Sequence, residues 1–289
     1  MRREAAAGSF YPGTRKTLER EIERCFLEGP GGIPTIKPRQ GKLIGVVVPH
    51  AGYMFSGPIA AHSFNRIAEE GFADVFFILG PNHTGVGSGV SVYPSDKWRT
   101  PLGEIPIDTD LVKKIAGGII DLDESAHRYE HSIEVQLPFL QYIGKNEGFS
   151  IVPICMAMQD VDTAGEVGDQ LAEAIKDESR RIMIIASSDL SHEGFMYGRA
   201  PPSGIDVDEY VRDRDKLAIR EIKNLNPDGL IKTVYKYGLS MCGYGPVASL
   251  LYAAKKLGGS KAELLKYGTS YEVSADSNAC VGYSAFAIY

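Results

Sequence analysis

Four cysteines in 289 residues, Cys25, Cys155, Cys242 and Cys280, are too widely spaced for a CxxC pair or a disulfide framework. Four reduced thiols and a cytoplasmic location are therefore expected. Basic runs are equally scarce. None exceeds two residues and the formal net charge is −6, which argues against a phosphate-tracking surface, so no nucleic-acid partner is expected. No apolar stretch approaches the roughly 20 residues of a membrane span, and residues 4–11, after the basic Met1-Arg2-Arg3, lack the apolar core of a signal peptide. The Gly-rich stretch 84–89 fits neither a Walker loop nor a GxGxxG turn. No internal repeat or low-complexity linker divides the chain. With 44% hydrophobic residues, a single α/β domain over residues 1–289 is expected.

What is present is a set of apolar runs that stop at chemically useful residues. LIGVVVPHAGYMFSG (43–57) opens with Ile44, Val46, Val47 and Val48 uninterrupted by polar groups, as in a strand buried on both faces, and ends at Pro49-His50. DVFFILGPNH (74–83) and RIMIIASSDLSH (181–192) repeat the pattern and end in His83 and in Asp189 and His192. In open α/β sheets the carboxyl ends of strands are where ligand sites are built, because the departing loops share one crevice. Helical patterns follow over 17–27, from Ser56 as a cap to Gly71, then 110–117, 131–143 (shortened by Pro138), 161–176, 207–224, 228–237 and 246–257. Short strands are expected at 90–93, 105–107 and 150–155, with two closing strands at 263–273 and 280–289.

His50 and His83, each at a strand end, suit neutral-imidazole ligation of a transition metal; hydrogen-bonded loop histidines are the plainer alternative. Cys242, in SMCGYGP, sits where a Gly-rich turn opens a helix, a position expected to favour a thiolate for metal binding or nucleophilic attack. Asp189 and His192 could act as acid, base or anchor for a bound water, or could cap their own turn. His127, Glu130 and His131 spell HxxEH, a zinc pattern on paper, but Pro138 confines any helix there. His131 beside Glu134 reads instead as a wall or proton-transfer group, and His62 as a structural histidine.

GSFYPG, PHAGYMFSG, LGPNHTG, EHSIEVQLPFLQ, ASSDLSH and MCGYGP occur in this order over nearly the whole chain. Together they resemble the Memo family, whose archaeal and bacterial members are described as AmmeMemoRadiSam system protein B. The resemblance implies an α/β/α sandwich with a mixed, largely parallel central sheet, similar to class III extradiol dioxygenases. It also implies a pocket of two histidines and a cysteine that binds iron or copper, falling here on His50, His83 and Cys242, with Asp189 and His192 alongside. Where those dioxygenases use a carboxylate, this chain has a thiolate, which argues against ring cleavage and toward copper(I), zinc or redox-active iron. Three functions follow as expectations. The first is a metal-binding, redox-type protein in which His192 handles protons. The second is a nucleophilic enzyme with Cys242 activated by His192 and Asp189. The third is a crevice that binds a peptide or small molecule without turnover.

Overall fold

Apolar runs and amphipathic stretches alternate along the chain, and the computed structural model, which describes residues 1–289, turns them into strands and helices in the same alternation. The strands are β1 Gly45–Val48, β2 Val75–Pro81, β3 Val90–Val92, β4 Lys97–Thr100, β5 Gly103–Pro106, β6 Asp121–Leu122, β7 Ser150–Met156, β8 Ile182–Ser187, β9 His192–Glu193, β10 Ala262–Thr269 and β11 Cys280–Ile288. The helices are α1 Arg15–Glu28, α2 Tyr53–Glu70, α3 Thr109–Ile115, α4 Leu137–Ile143, α5 Val161–Lys176, α6 Val207–Lys223, α7 Pro227–Tyr237, α8 Tyr244–Lys256 and the single turn α9 Tyr271–Ser274. One nine-stranded sheet runs in the order β10-β11-β1-β8-β2-β7-β3-β6, with β9 paired to β11, and β4-β5 form a separate hairpin.

The centre of the sheet is parallel. β1 pairs with β8, β8 with β2 and β2 with β7, all in the same direction, while antiparallel β11 and β3 flank this core. Every residue of β1, β2 and β8 is buried, as expected for strands covered on both faces. Helices flank the sheet in two packed groups, α1 with α2 and α4, and α5 with α7 and α8. A cluster of 70 buried apolar residues runs through these layers. Glycine is required at the first position of β1: a Cβ on Gly45 would strike the carbonyl oxygen of Ile184 and the Leu250 side chain of α8.

Three local expectations change. Ser56 does not cap α2. The helix starts at Tyr53, whose N–H is taken by the carbonyl of Phe10 at 2.8 Å, so the N-terminal strap satisfies the free helix end and Ser56 instead donates to the Ala51 carbonyl at 3.0 Å. The helix expected from His131 begins only at Leu137, after a 3-10 turn at Glu134–Gln136, because Pro138 is tolerated only in a first turn. His131 therefore lies on irregular chain ahead of the helix. The strand expected to reach Val273 ends at Thr269, where the chain turns into α9.

Candidate metal centre

Because β1, β8 and β2 are parallel neighbours, the residues that follow them leave the sheet at one edge. His50 follows β1, His83 follows β2, and Asp189 follows β8. Cys242 arrives from the turn before α8 and His131 from the segment before α4. His50 is buried, His83 exposed and His131 partly exposed. The rings of His50 and His83 stand edge to face at 5.2 Å between centres, and His83 and His131 stack at 4.6 Å.

The hydrogen bonds behind these rings decide which nitrogen each one offers. Ser187 Oγ donates to the Ser132 carbonyl at 2.7 Å and accepts from Gln136 Nε2 at 2.9 Å. A hydroxyl has one proton and two lone pairs, so its remaining valence is an acceptor, and His50 Nδ1, 2.8 Å away, must carry the hydrogen. His50 Nε2 is thereby left as a lone pair. Burial, then the charges of His83, His131 and His192, push the His50 pKa well below the ordinary imidazole range, which keeps the ring neutral.

Glu130 does the same for His83. The carboxylate is buried and accepts from His83 Nδ1 at 2.9 Å, from the His83 backbone N–H at 2.5 Å and from the Ser132 N–H at 2.8 Å. Burial opposes its ionisation, but these donors and the nearby His131 hold its pKa at about 2. As an ionised acceptor it fixes the proton on His83 Nδ1 and turns Nε2 outward. His131 Nδ1 lies 3.4 Å from the same carboxylate, and burial together with the charge of His83 lowers its pKa to about 4 although Glu130 opposes this. Phe10 stacks on His131 at 4.2 Å between ring centres, fixing the ring plane.

Cys242 Sγ lies 3.1 Å from His50 Nε2 and receives the Asp189 N–H at 3.3 Å. The thiol therefore donates to the His50 lone pair. The expected thiolate is not favoured: burial, reinforced by the charge of Asp189, pushes the Cys242 pKa up, and α8 opens only at Tyr244, beyond Gly243. The expected pairing of Cys242 with His192 is not formed either. His192 directs Nδ1 at the carbonyls of Leu190, 3.0 Å, and Ser240, 3.2 Å, so the imidazole beside the sulfur is His50. Asp189 is buried, accepts the His50 N–H at 2.8 Å and stands 3.9 Å from His50 Nε2. Burial raises its pKa, against the charge of His192 and the His50 and Ala51 N–H groups.

His50, His83, His131, Asp189 and His192 open into a cavity of about 410 Å³ with aromatic walls from Phe10, Phe55, Tyr197 and Tyr283, and Cys242 lies behind His50 rather than on its lining. Two sets of side chains have ligand atoms mutually within 4.8 Å, His50 with His83 and His131, and His50 with Asp189 and Cys242. His50 belongs to both. His127, the first residue of HxxEH, is buried beneath Tyr93 and Trp98 with Nε2 3.3 Å from Ser91 Oγ, so that spacing does not form one site.

The sequence matches the family described as Memo-like protein over residues 2–287. The chain belongs to the Memo family. A MEMO1 family protein of Methanosarcina mazei is 46% identical over 288 residues, covering 100% of this chain and 99% of its own. One from Methanopyrus kandleri is 44% identical and covers 97% and 96%. Among solved structures, an uncharacterized protein of Escherichia coli K12 superimposes with a TM-score of 0.54 at 16% identity, over 83% of this chain and 99% of that one, a likeness of fold alone. In this Memo-family chain the residues that sequence reasoning missed are Ser187 and Gln136. Ser187 sits inside the ASSDLSH motif, at the very end of β8, and that position was the available signal. Glu130 was visible only as part of HxxEH, whereas its role is to orient His83.

Proposed function

We propose that the chain is a metal-binding protein of redox type, in which His50, His83 and Cys242 hold iron or copper, with zinc as an alternative occupant. The observation that carries this reading is the orientation of the two histidines: each has its Nδ1 proton committed to a buried acceptor, Ser187 for His50 and Glu130 for His83, which leaves Nε2 of each ring as the atom that can meet a cation. The donor chemistry fits borderline and soft transition ions. When bound, such an ion would supply Lewis acidity and electron transfer to a small molecule or peptide group in the crevice. The chain's own residues would do the rest. His192, its Nδ1 tied to two carbonyls, offers Nε2 as the proton-handling atom, and Asp189 would accept a hydrogen bond from a bound water or ligand. His131 forms the adjoining wall. A sulfur at the place of a carboxylate argues against ring cleavage, so extradiol chemistry is not part of this proposal. The same reading takes the protein as cytoplasmic and the whole of residues 1–289 as one domain built around one crevice.

Metal analysis of the purified protein and of Cys242→Ser tests the reading. Iron or copper is expected in the wild type, with its content reduced in the variant. Metal-free wild-type protein that still binds peptide in the crevice would favour a binding module without turnover.

A further inference from the structure

The crevice carries a charge that a metal ion alone does not account for, and naming the ligand that answers it rests on the reading above of this crevice as the binding site. We infer that the crevice takes a ligand with a primary ammonium group on an apolar body, the ammonium held by Asp276 and the body lying between the aromatic walls. Three observations carry the assignment. The first is the balance of charge. None of the chain's 31 lysines and arginines lines the cavity, whereas two carboxylates, Asp189 and Asp276, do. A phosphate or carboxylate ligand would meet no cationic side chain there. Asp189 is 3% exposed, gives Oδ1 to the His50 N–H at 2.8 Å, and has Oδ2 3.9 Å from His50 Nε2, too far for a hydrogen bond. Asp276 is half-buried, accepts the Asn278 N–H at 2.8 Å and pairs with no cation. Iron(II) or copper(I) together with a Cys242 thiolate would offset Asp189 at most, so the charge of Asp276 is left for the ligand.

The second is what surrounds Asp276. Ser274 gives its hydroxyl proton to the Ser270 carbonyl at 3.1 Å and accepts the Asp276 N–H at 3.3 Å, so on the cavity lining its oxygen can only accept. Ser274 Oγ and the Asp276 carboxylate thus supply acceptors for the N–H groups of an ammonium, which has donors and no acceptor. The third is the aromatic wall beside the carboxylates. Burial and, after it, the charge of Asp189 and more weakly that of Asp276 raise the Tyr197 pKa, so this ring lies in the field of both. Tyr197 stands edge to face with His192 at 5.4 Å between centres, and Phe10, Phe55 and Tyr283 complete the walls. Ring faces attract a cation and cover an apolar body, and they repel an anion.

The experiment titrates three ligands of one shape, benzylamine, benzyl alcohol and benzoate, into intact protein near neutral pH, both as purified and after metal removal by a chelator. In metal-free protein benzylamine should bind at least about 10-fold more tightly than benzyl alcohol, the worth of a hydrogen bond to a charged group, and benzoate most weakly. Asp276→Asn, shown to be folded by circular dichroism and still able to accept the Asn278 N–H, should lose that roughly 10-fold advantage and bind benzyl alcohol within about threefold of wild type. Added salt should weaken the binding of benzylamine and leave that of benzyl alcohol unchanged. Nα-acetyl-lysine amide presents the same ammonium on a peptide side chain; tighter binding of it than of benzylamine assigns the ammonium to a polypeptide, and the reverse order to a free amine. Equal or absent binding of the three ligands, a preference for benzoate, or an amine preference that survives in Asp276→Asn overturns the assignment while leaving the metal reading intact. The expected amine preference in protein that holds no iron, copper or zinc as purified overturns the metal reading alone.

Discussion

At the scale of single residues, the site depends on how one hydroxyl spends its proton. Ser187 Oγ gives its hydrogen to the Ser132 carbonyl, so His50 must donate to it, and this fixes the neutral tautomer that leaves Nε2 free. Ser187→Ala should cost about 1–3 kcal/mol in urea unfolding, because His50 Nδ1 loses its buried acceptor and Gln136 one of its acceptors. It should also weaken metal binding by about 10–100-fold in a chelator competition. Acid should act through the neighbouring groups. His131 is held at about 4 and His127 at about 3, both below the ordinary imidazole value near 6.5, so the neutral folded form is favoured and stability is lost as pH falls from 6.5 toward those values. Glu130, held at about 2 against an ordinary value near 4.5, contributes stability that is complete above 4.5 and lost as pH falls toward 2. Unfolding free energies measured across this range should therefore decline in two steps. In Glu130→Gln the lower step, on the order of 3 kcal/mol, should disappear.

At the scale of elements, the N-terminal strap is built into the site. Arg2 is buried, lies over the Trp98 ring, donates to Glu134 at 2.6 Å and reaches the carbonyls of His127 and Glu130, each also at 2.6 Å. Glu134 in turn accepts from the Ala5 and Ala6 N–H groups and from Tyr11. This holds the segment bearing Glu130 and His131 and seats Phe10 against His131. Arg2→Met leaves a buried carboxylate without its cation and should destabilise by about 3–5 kcal/mol, whereas Arg2→Met with Glu134→Gln should recover part of that loss in denaturant titration. Helices α1 and α2 meet as tightly. A Cβ on Gly57 would collide with Cys25 Sγ, so Gly57→Ala should cost about 1–3 kcal/mol by overpacking. Adding Cys25→Ala should relieve the clash, and a double-mutant cycle should return a coupling of about 1 kcal/mol or more.

At the scale of the whole molecule, ligands drawn from segments far apart in sequence tie metal binding to folding. An ion at 100 times its dissociation constant should add about 2.7 kcal/mol by mass action, a rise of roughly 5 °C in a thermal melt that His50→Ala abolishes. Local sequence was enough to place the central strands β1, β2 and β8 and the edge at which they stop. Uninterrupted Val, Ile and Phe runs have few alternatives to a doubly covered sheet, and a strand that stops at Pro49-His50 or Pro81-Asn82-His83 announces its edge locally, as do the family motifs. It did not determine partners. Cys242 meets His50 across 192 positions and His83 meets Glu130 across 47, and such encounters are set by strand order and helix packing, which no local pattern encodes. Ionisation followed the same division. The residues of SMCGYGP suggested an activated thiolate, but the burial that raises the Cys242 pKa and the hydroxyl that fixes the His50 tautomer exist only once the sheet has closed around them, because desolvation and buried hydrogen bonds belong to the packed environment and not to the residue.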